Sequence, residues 1–148
     1  MNAGRFNGVD FKLFADVCYG ANAYDLAALA FLEPAAFLEL PSRPAADLGC
    51  HGRLVKLVSS VSGSLTRLNH VEALERLASL VSFETKAAEE GDRVERTVDL
   101  HTCAGFAQLL HTDLSVLEAD YETLRRLEPT LFSVSCGDAR APTVPPQT

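Results

Sequence analysis

Between Leu80 and Leu127 the apolar residues change spacing, from every second position to every third or fourth, and that change limits what the chain can fold into. Leu80-Val81-Ser82-Phe83-Glu84-Thr85-Lys86 is rich in strand formers, with Val81, Phe83 and Thr85 on one face. Ala88-Glu89-Glu90-Gly91-Asp92 reads as a turn whose glycine suits a positive φ. From Arg93 to His101 the residues alternate. Val94, Val98 and Leu100 share one face, with Arg96 the exception, and Glu95, Thr97, Asp99 and His101 share the other. This pattern predicts an antiparallel hairpin, Leu80–Lys86 with Arg93–Leu100, that rests one face on a core. Thr102 is the expected N-cap of a long C-terminal helix. Phe106, Leu109, Leu110, Leu117, Tyr121 and Leu124 make its apolar stripe, with Leu114 and Leu127 at the margins. Arg125 and Arg126 suit the negative pole of that helix, and Pro129 ends it.

Upstream the period is helical. Phe11, Phe14, Ala15, Cys18 and Tyr19 fall on one face of a helix that Asp10 is placed to cap and Gly20 to end. A second helix is expected from about Tyr24 to Leu32, before Pro34. The two prolines of Leu40-Pro41-Ser42-Arg43-Pro44 break any helix and mark a boundary. Leu54 to Leu68 fits two readings. Leu54, Leu57, Val58, Val61, Leu65 and Leu68 match an amphipathic helix, while Val55, Leu57, Ser59 and Val61 alternate and Gly63-Ser64 suits a turn. Leu68, Val71, Leu74 and Leu77 have helical spacing. The expected class is α+β: a small N-terminal helical segment over 1–47, then over 48–130 a short antiparallel sheet of two or three strands and one long C-terminal helix. Residues 131–148, with Gly137 and three prolines beyond Cys136, are expected to be largely disordered.

An apolar share of 47% over 148 residues supports one modest core. The net charge of −7, with no cluster of Lys and Arg, argues against nucleic acid as a partner. Leu26–Leu40 is the most apolar stretch, but Glu33, Pro34 and Glu39 interrupt it, so direct membrane insertion is not expected. The opening residues lack the apolar run of a signal peptide, which leads to a cytoplasmic expectation. In that compartment Cys18, Cys50, Cys103 and Cys136 are expected as reduced thiols.

Cys50-His51 and His101-x-Cys103 together offer four zinc-ligand types, but the spacing within each pair is unlike structural zinc sites, and no metal or other cofactor is expected. Ser59, Ser60, Ser62 and Ser64 are dense yet outside any G-x-S-x-G context, and fit turn and strand positions better. Cys103 near His101 lacks a recognisable activating pocket in the sequence. Glu89, Glu90 and Asp92 lack calcium-loop spacing and suit a solvated turn. No catalytic residue is assigned, and the chain is expected not to be an enzyme.

The succession of Leu80–Lys86, an acidic-Gly turn, Arg93–Leu100, Thr102 and a leucine-striped helix entered at Phe106 resembles the COMM domain. An earlier strand of that family would fall on Leu54–Val61. The resemblance implies a non-enzymatic subunit that dimerises through its hairpin and helix. It further implies assembly with other COMM-type subunits, or with itself, in a Commander-type complex for endosomal cargo recycling, with links to NF-κB control and endosome association. The expected partner-binding residues are Val94, Val98, Leu100, Phe106, Leu110, Leu117 and Tyr121. A small sheet backed by one helix has an uncovered face, which a partner chain or the chain's own N-terminal helices would cover. The alternative is a mostly helical adaptor or viral regulator of death-fold type, with Leu54–Leu77 as continuous helix.

Overall fold

The computed structural model describes residues 11–43 and 48–135. Among them are five helices and six strands in two three-stranded antiparallel sheets, an α+β architecture that rules out the mostly helical alternative. No helix among the described residues is long and apolar enough to cross a membrane.

The N-terminal helices form where the apolar spacing puts them. α1 spans Lys12–Tyr19 and ends at Gly20, whose φ of 74° is the left-handed conformation that stops a helix. The expected cap Asp10 and the expected boundary at 47–48 touch residues outside those described. α2 runs Ala23–Leu32, capped by Asn22, and Pro34 opens the short α3, Pro34–Leu38.

Leu54–Leu68 resolves into strands. β1 is His51–Leu57 and β2 is Gly63–Leu68, with Val55, Leu57 and Leu65 buried on the core side. The helix expected after Leu68 shrinks to α4, Val71–Glu75, a single turn that buries Leu74. β3, Leu80–Thr85, forms as expected.

The expected hairpin does not form. β3 pairs with β5, Gly105–His111, and the sheet order is β1-β5-β3, with Ala107 between Val55 and Phe83. Only Arg93–Val94 is strand after the turn. This β4 pairs with β2, and the second sheet runs β4-β2-β6, with β6 at Phe132–Ser135. The alternation of 93–101 is lost to local hydrogen bonds. The Thr102 hydroxyl accepts from the N–H groups of Val98 and Asp99, and Asp99 accepts from the Thr102 N–H. Such side-chain bonds to nearby backbone compete with a strand ladder.

The long helix is also shorter than expected. α5 spans Leu114–Leu127, followed by one 3-10 turn at Glu128–Thr130, and its N-cap is Asp113 rather than Thr102. Gly105-Phe106-Ala107-Gln108-Leu109-Leu110-His111 is the central strand instead, buried on both faces at Ala107, Gln108 and Leu109. A side chain at Gly105 would run into the Glu84 carbonyl, so this strand needs a glycine where β3 approaches. Leu131 and Phe132 are buried, and 131–135 therefore belong to the fold rather than to a tail.

One apolar cluster joins the sheets, α4 and α5 through Leu57, Leu65, Leu74, Leu109, Leu117 and Leu124. Arg53 points to the α5 side, its Nη2 donating to both carboxylate oxygens of Glu118 and its guanidinium 4.4 Å from the centre of the Tyr121 ring. α1 lies on the opposite face of the first sheet, where Phe14 rests on Gly52.

Candidate functional site

The seven expected partner-binding residues are spread over different surroundings. Val94 and Leu117 are buried in the chain's own core. Tyr121 is half-buried between Arg53 and Arg125, whose guanidinium groups lie 4.4 and 5.3 Å from its ring centre. Phe106 and Leu110 lie on the β1-β5-β3 face opposite α5, with the Lys56 ammonium 5.0 Å from the Phe106 ring. Val98 and Leu100 are 77% and 67% exposed in the loop before β5. The structure thus brings no continuous patch together from all seven.

The pairs Cys50-His51 and His101-x-Cys103 stand apart. His51 pairs with His111 at one end of the β1–β5 ladder, whereas Cys103 precedes the other end, where Leu57 pairs with Gly105. A ladder of that length separates them by about 20 Å. Among the described residues no group of three or more His, Cys, Asp or Glu side chains is arranged to hold a metal ion. Cys103 lines a small open cleft of about 170 Å³ with Lys86, Arg93, Glu95, Thr102 and Phe132. Its cations already have partners: Lys86 donates to the His101 carbonyl and Arg93 pairs with Glu95. Asp92 accepts from the N–H groups of Ala88 and Glu89, and these bonds hold its carboxyl below the ordinary range. Ser59 is a turn former, bonded to both the N–H and the carbonyl of Val61, and the Ser62 hydroxyl accepts from the Arg96 N–H.

The largest unexplained apolar exposure lies in the N-terminal arm. No residue of α1, α2 or α3 is fully buried. α2 reads Ala-Tyr-Asp-Leu-Ala-Ala-Leu-Ala-Phe-Leu, apolar nearly all round, yet Phe31 is 87% exposed and Leu32 79%; Leu38 of α3 is 80% exposed. A helix apolar on all sides normally sits inside a larger body. The arm has a defined joint nonetheless. Asn22 is buried between α1 and α2; its amide donates to Asp16 at 2.5 Å and Asp25 at 2.6 Å, and its oxygen accepts from the N–H groups of Tyr24 and Asp25. Lys12, then Asn22, hold the Asp16 carboxyl below its ordinary range. Sequence reasoning found α1 and α2 but neither α3 nor the exposure of the arm. The available signal was α2 itself, whose apolar residues leave no polar side to face water.

No protein-family model and no curated protein matches the sequence. Among solved structures, phosphoribosylglycinamide synthetase from Anaerococcus prevotii is similar, with a TM-score of 0.54 and 17% identity. The match covers 85% of this chain and 30% of that one. At that identity the likeness is one of fold.

Proposed function

We propose that this chain is a protein-docking unit that contributes no catalytic groups, and that its α2–α3 arm seats on the catalytic polypeptide of a synthetase-type enzyme. The observation that carries the reading is α2, an apolar helix held in water by a specified joint at Asn22. Covering Phe31, Leu32 and Leu38 would return about 25 cal/mol for each Å² removed from water. The kind of partner is suggested by the fold likeness, since the match takes up 30% of a longer synthetase.

The test is affinity purification of the full chain from its native cells, with mass spectrometry and a Phe31→Asp, Leu38→Asp variant alongside. The wild type is expected to recover a synthetase-type polypeptide, and the variant to lose it at least about tenfold, since removing two buried anchors is worth more than 1.4 kcal/mol. Its urea midpoint should stay that of the wild type, because both side chains are surface groups within the chain. Equal recovery by the variant, or no synthetase-type polypeptide, overturns the reading.

A second reading keeps the COMM-type subunit, and the exposure of Val98 and Leu100 favours it. There α5 with its turn to Thr130 would serve as the long C-terminal helix, and Val98 and Leu100 would face a second COMM-type chain. The missing Leu80–Leu100 hairpin weighs against it. Recovery of COMM-type subunits in the same purification, in place of a synthetase, would favour it.

A further inference from the structure

Phe14 of α1 lies on Gly52 of β1, where a side chain would run into its ring, so helix and strand are in direct contact. One helical turn beyond Phe14 is Cys18, about 6 Å further along α1. Two residues before Gly52, just outside β1, is Cys50, buried and with its thiol donating to the His51 carbonyl. Cys50 is also the neighbour whose charge and hydrogen bonding reach the Cys18 thiol, so the two side chains lie side by side where α1 rests on β1. Burial, followed by the charge and hydrogen bonding of Cys50, raises the Cys18 thiol above the ordinary cysteine range. Cys18 is partly exposed and Cys50 is buried, both as free thiols.

We infer that Cys18 and Cys50 are a thiol pair that closes to a disulfide and ties both ends of the segment carrying α2 and α3 to β1. The oxidant is a low-molecular-weight disulfide such as oxidised glutathione. Cys18, the more accessible thiol, gives its proton to solvent, and its thiolate attacks one glutathione sulfur. The Cys18–glutathione bond forms as the glutathione S–S bond breaks, and the released thiolate takes up a proton. Cys50, deprotonated in turn, attacks the Cys18 sulfur and expels the second glutathione. Two protein thiols lose two electrons and two protons, and one oxidised glutathione becomes two reduced ones. With its thiol raised, Cys18 holds little thiolate at neutral pH, so the first step quickens as the pH is raised. The pair does not depend on the docking reading, because the bond forms within one chain whether or not α2 has a partner.

The full chain, native and in urea, is exposed to oxidised glutathione mixed with increasing reduced glutathione, then digested with a protease that cuts after Glu. Cleavage at Glu33 and Glu39 separates the two cysteines, and mass spectrometry without reductant reads their link. The expected result is a Cys18–Cys50 cross-link, lighter by two hydrogens, which at equilibrium withstands about tenfold more reduced glutathione in the native chain than in urea, because the fold supplies a high effective concentration. The rate should rise from pH 7 to about pH 9. Cys50→Ser should stop at a Cys18–glutathione adduct, and Cys18→Ser should leave Cys50 reduced. Equal resistance to reduced glutathione in the native chain and in urea, Cys18 linked instead to Cys103 or to another chain, or a glutathione adduct on Cys50 in the Cys18→Ser chain would overturn the inference. If Cys50→Ser does not fold, the wild-type comparison of native and urea equilibria decides alone.

Discussion

Gly105 shows how one position settles a pairing. The Glu84 carbonyl occupies the space that a Cβ would need, so Gly105→Ala forces β3 and β5 apart at the end of their ladder. The expected loss is about 1–3 kcal/mol, as for other overpacked sites, read as a lower urea midpoint; an unchanged midpoint would contradict the geometry. Asp113 makes a different prediction. Its carboxylate accepts from the Ser115 hydroxyl and N–H, which hold its pKa below the ordinary value. A carboxyl lowered by folding stabilises the folded state above its unfolded pKa, and that stabilisation is lost as the pH falls through the folded one. The wild type should therefore exceed Asp113→Ala in urea midpoint at neutral pH, and the gap should close between about pH 5 and pH 2. The sequence pattern put the helix start at Thr102, and the structure puts it at Asp113. What decided between them is not local: Gly105–His111 is taken by β1 on one side and β3 on the other, so no helix can begin before Asp113.

At the scale of elements, the central strand was the hardest to read. The second half of α5 carries a pattern that matches the side it buries, whereas in β3 Phe83 packs on the core and Val81, expected on the same face, is half-exposed. In α5, Leu117 and Leu124 are the buried positions, whereas Leu114 is half-exposed. Leu124→Ala should cost about 2–5 kcal/mol, and Leu114→Ala well under half of that, compared by urea unfolding. A similar cost at both positions would place the apolar stripe on the wrong side of the helix. β5 defeated the same reasoning because a central strand covered on both faces has no alternation to read. Its short apolar run matched a helical stripe with Leu117 and Leu124, and length alone did not separate the two. The alternation at 93–101 misled in the other direction. Val98 and Leu100 have the spacing of a strand face, yet the hydrogen bonds of Asp99 and Thr102 turn them outward.

For the whole molecule, the α+β class was legible and the strand order was not. Neighbours in sequence were expected to pair, but β3 skips to β5 and β2 takes β4 and β6. Nothing in a local pattern encodes which edge a strand joins, since several registers bury the same apolar face. The candidate surface was half legible: the helical arm could be read, whereas its lack of cover follows only from where the core closes, on the other side of the first sheet. The position of β6 has a consequence in time. Ser135 hydrogen-bonds to Ser64, 71 positions earlier, so the second sheet lacks a strand until almost all the described chain has left the ribosome. Contacts so remote in sequence form late and slowly. Throughout synthesis β2 therefore waits with one edge bare, the stage at which this protein is most exposed to mispairing with a neighbouring nascent chain.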